Sequence, residues 1–168
     1  MAEQKIENLI GEILIGDAQK NALEFIAYLR VNEMLFERGK NYWEDELYWG
    51  IKFKDEIVCY ILIGSEENPG EKSDSWIIWS DDSNSDWFED FLLDEHIKEL
   101  AWENVDLCGK CGSCSEQGTR KTIFGKEFDN VCGTTMRFDN PNAEEVECVK
   151  KMVEIRKNYI LKNINIIM

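Results

Sequence analysis

Histidine and proline are scarce: His96 is the one histidine, and Pro69 and Pro141 are the two prolines. A Ser–His–Asp or Cys–His relay would have to run through His96, and no nucleophile elbow accompanies it. Flanked by apolar helical positions, His96 reads as packing or surface, so hydrolytic chemistry is disfavoured. Phosphate-cradling glycine loops are missing as well. No G-x-G-x-x-G follows a strand and no G-x-x-x-x-G-K-[ST] occurs, which argues against nucleotide-driven catalysis. No stretch approaches eighteen apolar residues, so no membrane span is expected. The segment Met1-Ala-Glu-Gln-Lys-Ile-Glu7 lacks the apolar run and small-residue cleavage site of a signal peptide, which points to the cytoplasm. Both prolines fall in polar stretches between patterned segments and interrupt neither helix nor strand.

Basic side chains are also few. Nineteen lysines and arginines against 34 acids leave a net charge of −15. Such a surface repels phosphate backbones and anionic lipid, so nucleic-acid and membrane partners are not expected. The acidic clusters Glu44-Asp45-Glu46, Asp81-Asp82 and Glu89-Asp90 lack the twelve-residue calcium-loop pattern and read as solvated surface. One region runs the other way. From Asp106 to Lys126 the acids are Asp106 and Glu116, while the bases are Lys110, Arg120, Lys121 and Lys126.

What is present suffices for one domain. A chain of 168 residues with 43% hydrophobic content buries roughly 70% of its unfolded surface without crosslinks. The expected domain spans 1–168, with 106–133 as a cysteine-rich insertion. Ile6, Leu9, Ile10, Ile13 and Leu14 share a helical stripe. Gly16 is expected to stop that helix and Asp17 to cap the next. The second helix carries Ala22, Phe25, Ile26 and Leu29 and is expected to run to Gly39. Strands are expected at 46–54, 57–63 and 75–80, the first two joined by a turn at Asp55-Glu56. The loop from Gly64 to Ser75 contains Pro69-Gly70.

A third helix is expected from Trp87, capped by Asp86, with a break near Asp94. Thr122 to Phe128 reads as a hairpin with its tip at Gly125-Lys126. A strand at 134–138 follows. The final helix runs from Ala143 to about Lys162, burying Val146, Val149, Val153 and Ile160 with Met152 beside them. Short turns between strands favour antiparallel pairing. The fold class is therefore α+β: a largely antiparallel sheet of about four to six strands, backed by helices.

The clustered cysteines carry the chemistry. Cys108-Gly-Lys-Cys111-Gly-Ser-Cys114 is followed, after the hairpin, by Cys132. Six cysteines without an export signal suggest a reducing compartment, where clustered thiols mean metal or redox chemistry more often than a disulfide framework. Four thiolates can hold one zinc ion at sulfur distances of about 2.3 Å. Gly109 and Gly112 let the backbone turn between ligands, and the nearby bases can offset the excess negative charge. Zinc ribbons usually pair two knuckles, whereas the second half here offers Cys132 alone. Free or reversibly oxidised thiols rank second, because cysteines beside lysine and arginine are the reactive ones. An iron–sulfur cluster ranks lower, since the spacing after Cys114 departs from the ferredoxin pattern; inert cysteines complete the alternatives. Cys59 and Cys148 read as core packing.

The element order, with its cysteine-bearing hairpin, resembles small bacterial proteins of the YdhG-like kind, which implies a curved sheet backed by helices. The run Ile123-Phe-Gly-Lys-Glu-Phe128-Asp-Asn-Val-Cys132, together with the three upstream cysteines, is similar to a signature in other bacterial sequences. Neither resemblance implies a substrate.

Aromatic residues suggest a second kind of site. Trp43, Trp49, Trp76, Trp79 and Trp87 with Tyr42, Tyr48 and Tyr60 crowd the sheet region. Most serve core packing, but Trp49, Tyr60, Trp76 and Trp79 can also line an apolar pocket for a small organic ligand. The expected function is a zinc-stabilised binding or regulatory domain rather than an enzyme. A thiol-based redox protein and an acidic module for a protein partner remain as alternatives, with the assembly state left open.

Overall fold

A computed structural model describes residues 5–38, 47–64, 71–80, 94–107 and 119–167, with the side chains of residues 47, 119, 132–135 and 163–167 excepted. Among the described residues four helices and seven strands pack as α+β, and every strand pairing is antiparallel.

Helix α1 (Ile6–Ile13) buries Ile6, Leu9, Ile10 and Ile13, the stripe its periodicity sets out. Its neighbour α2 (Gly16–Val31) buries Ala22, Phe25, Ile26 and Leu29. Gly16 does not stop the first helix. It opens the second, at φ +61°, a backbone region glycine enters without a Cβ penalty. Ile15 holds the cap position, and Asp17 lies in the first turn, where its charge meets the positive end of the helix.

The second helix also ends earlier than Gly39. The Asn32 side-chain amide donates to the Tyr28 carbonyl at 2.8 Å, and Glu33 turns left-handed at φ 63°. That reversal releases Leu35–Arg38 as a strand, β1, along the edge of the sheet. β2 (Leu47–Phe53), β3 (Glu56–Ile63) and β4 (Trp76–Ser80) continue it as a meander. The β2–β3 turn is Lys54-Asp55, one residue ahead of the sequence expectation. Both residues have positive φ, 52° and 67°, the geometry whose twist matches flanking antiparallel strands.

Helix α3 (Glu95–Glu103) is capped by Asp94, whose carboxylate accepts from the His96 amide at 2.9 Å. A three-residue strand, β5 (Val105–Leu107), follows it. β6 (Thr119–Ile123) and β7 (Lys126–Asp139) form the hairpin, turning at Phe124-Gly125. The strand expected at 134–138 is the far end of β7, unbroken through Cys132. Sheet order is β1-β2-β3-β4-β7-β5, with β6 also on β7. Seven strands exceed the expected four to six, because β1 and β5 are too short to stand out in the sequence.

Helix α4 (Ala143–Ile167) begins with a reciprocal cap. The Asn142 side chain accepts from the Glu145 amide at 2.9 Å, and the Glu145 carboxylate accepts from the Asn142 amide at 3.3 Å. Its Val146, Val149, Met152, Val153 and Ile160 are buried as expected. One face of the sheet supplies Trp49, Ile51, Ile61, Trp76, Ile78 and Phe138 to the main core, shared with α1, α2 and α4. The opposite face carries a smaller buried cluster of Tyr48, Leu62, Ile77 and Trp79.

Candidate metal centre

β7 organises this end of the molecule. Val131 is fully buried and pairs with Leu107 of β5 and with Thr119 of β6. A strand residue has two edges, so β5 and β6 flank Val131 from opposite sides. Leu107 precedes Cys108 in the chain, Thr119 lies five residues beyond Cys114, and Val131 precedes Cys132. Leu107 and Thr119, the described residues that bracket the three-cysteine segment in sequence, thus both pair with the residue before Cys132. Leu107, Val131 and Thr119 therefore lie side by side across three strands, with Cα atoms of neighbours about 5 Å apart.

The register around Cys132 is irregular. On β5, Val105 pairs with Met136 and Leu107 with Val131, so Asp106 alone opposes residues 132–135. On the other edge, β6 pairs as far as Val131 and β4 takes over at Arg137. One residue earlier, Asn130 adopts φ 60°, and three β7 steps from Phe128 to Val131 match two on β6. Such bulges re-aim a strand where it builds a site. Cys132 itself sits on the β7 backbone; Cys108, Cys111, Cys114 and Lys110 lie outside the described residues.

The local charges are more committed than the sequence implies. Arg120 pairs with Glu127 at 2.5 Å and with Asp129 at 3.4 Å across the hairpin. The Glu127 carboxylate, followed by Glu127 and Asp129 as charges, holds the Arg120 guanidinium above its usual range. The Lys126 ammonium lies 5.4 Å from the Trp102 ring and 5.4 Å from the Phe128 ring, and Lys121 is buried. Extending the basic stretch by three residues to Asp129 adds two acids, so four bases meet four acids. The hairpin supplies its own counter-charges.

Trp102 is the structural residue that stands outside the aromatic set singled out above. Its indole N–H donates to the Ile123 carbonyl at 2.7 Å, fastening α3 to the hairpin turn. Its position one turn before β5, beside buried Ala101, is the signal for it in the sequence.

The four aromatics considered for a ligand pocket divide between two faces. Trp49 and Trp76 belong to the helix-side core, Trp76 with no exposed surface and its ring 6.4 Å from that of Phe25. Trp79 and Tyr60 are cross-strand partners on the opposite face, where the Arg137 guanidinium lies 5.3 Å from the Trp79 ring. No single concave surface takes all four.

Cys59 and Cys148 are both buried, as core packing requires. Burial pushes the Cys148 thiol up to about 12, with the Glu145 charge adding to it, so it is no nucleophile near neutrality. His96 faces Glu144 at 3.4 Å, with both side chains more than half exposed. Among the described residues no group of three or more histidine, cysteine or acidic side chains converges as metal ligands. No described helix is long and apolar enough to cross a membrane. Compared with family models, with curated proteins and with solved structures, the chain matches none.

Proposed function

We propose that this chain is a zinc-stabilised binding or regulatory domain in which Cys108, Cys111, Cys114 and Cys132 hold one ion where β5, β6 and β7 meet. The supporting observation is the double pairing of Val131 with Leu107 and Thr119. It sets Leu107 and Thr119, which bracket the three-cysteine segment in sequence, against the residue before Cys132 by strand pairing alone. Zinc would then stabilise the segment between Leu107 and Thr119 and leave the helix-backed core to its own packing. Three of the ligands at two-residue gaps suit the tight loop a tetrahedral thiolate site needs.

A thiol-redox role is the second reading. The pairing of Arg120 with Glu127 and Asp129 weighs against it, because a guanidinium already neutralised does little to stabilise a thiolate. The test is the metal content and thiol count of protein purified without oxygen. One zinc per chain, with four thiols released to labelling when a chelator is added, is the expected result. Metal-free protein whose four clustered thiols label at once would end the zinc reading.

A further inference from the structure

Nine residues make α3 too short to persist in water alone, and only Ala101 among them is buried. Its place depends on tethers, and these run in two directions. Toward the hairpin, the Trp102 indole donates to the Ile123 carbonyl at 2.7 Å, and the Asn104 carbonyl accepts from the Arg137 amide at 2.9 Å. Lys126 spans the Trp102 and Phe128 rings from the same side. Toward α4, the Cys148 thiol donates to the Ile97 carbonyl at 3.6 Å. The Asn104 amide donates to Glu145 at 3.3 Å, and His96 faces Glu144. Cys148 has no exposed surface, and α3 is an element against which its sulfur rests.

We infer that α3 is a latch over Cys148, held shut by the β6–β7 hairpin through Trp102, so that loosening the hairpin uncovers this thiol while the rest of the core stays closed. The inference rests on the zinc reading for its trigger alone: an ion joining the ends of β5 and β6 would stiffen the hairpin that Trp102 grips. Local opening of such a unit is expected to cost less than global unfolding, since α3 contributes little buried apolar surface.

Alkylation rates resolved by peptide mass spectrometry test the latch, with Cys59 in β3 as the internal reference. In Trp102→Phe an aromatic ring smaller than the indole remains and the N–H is lost. Cys148 is expected to label about five- to tenfold faster, the equilibrium factor of one ordinary hydrogen bond, with Cys59 unchanged. Lys126→Ala, which keeps that bond, serves as a second variant and is expected to give a smaller rise in the same direction. Chelating zinc from the wild type is expected to reproduce the Trp102→Phe pattern. An unchanged Cys148 rate in both variants would overturn the latch, as would Cys59 rising in step with it. If the wild type binds no zinc, the metal reading fails, and the two variants compared without metal still decide the latch.

Discussion

Replacing Val131 by alanine probes the junction on which the site geometry depends. Val131 is fully buried and is the β7 residue that both β5 and β6 meet. The substitution removes two methyl groups' worth of buried surface and leaves a small cavity between strands that are fixed by their own ladders. Transfer and cavity contributions together come to about 2–3 kcal/mol. For a domain of this size that lowers the melting temperature by roughly 5–10 °C. Two residues earlier, Asp129 has a side chain 85% exposed, because the left-handed Asn130 interrupts the alternation between them. Asp129→Ala loses only a surface pair to Arg120 and is expected to change stability by less than about 0.5 kcal/mol. Urea unfolding followed by tryptophan fluorescence measures both, with the slope against denaturant expected to stay constant. Equal effects from the two substitutions, or a cost below about 0.5 kcal/mol for Val131→Ala, would refute the junction.

Other expectations rest on separate features. Asn142→Ala removes one half of the α4 cap and is expected to cost about 1 kcal/mol in the same urea assay. Gly125→Ala places a side chain at φ +87° in otherwise open space, so backbone strain alone is tested, at about 1 kcal/mol. Alkaline pH should weaken the fold through two raised groups. Burial first, then Glu145, pushes the Cys148 thiol from 9.0 to about 12; burial first, then Glu154 and Glu147, pushes the Tyr28 phenol from 10.0 to about 12. Each keeps its proton when folded at a pH where the unfolded chain has lost it. Their stabilisation is complete below the unfolded values and is lost as pH rises toward about 12. Urea midpoints falling between pH 8 and 11, and falling less in Cys148→Ala, are expected. Glu7 acts in the opposite direction: its hydrogen bonds to Arg30 lower the carboxyl pKa, so its small share of stability is present at neutral pH and is lost on acidification. Glu7→Gln is expected to cost under about 1 kcal/mol at pH 7 and nothing measurable once the wild-type carboxyl is protonated.

How much of this was legible in the sequence follows from the range of the signal. Helical stripes such as Ile6, Leu9, Ile10 and Ile13 need only local spacing, and they read correctly. So did the strand expected at 57–63, which lies within β3. β1 was hidden because one residue, Glu33, decides whether the chain continues as helix, and a left-handed glutamate has no composition signal. β5 escaped because three residues, Val-Asp-Leu, give no periodicity and stand against the cysteines. Both hairpin turns lay one residue earlier than read: positive φ fell on Lys54 and Phe124, residue types that do not advertise it.

At the site, the three-cysteine cluster is evident in the sequence, but not the strand pairing of the residues that bracket it. Val131 joins residues 12 and 24 positions away in sequence, a pairing no local pattern carries. The charge reading missed Glu127 and Asp129 because they reach Arg120 from the opposite strand. The aromatic division, by contrast, could have been read. Trp76 and Trp79 are three apart on one strand, and a period of two puts them on opposite faces.

Native mass spectrometry of protein purified and sprayed without oxygen tests the central proposal most directly. The account expects one zinc ion per chain, lost when Cys132 is replaced by serine and retained when Cys148 is. A metal-free wild-type chain, or full zinc occupancy in Cys132→Ser, would contradict it.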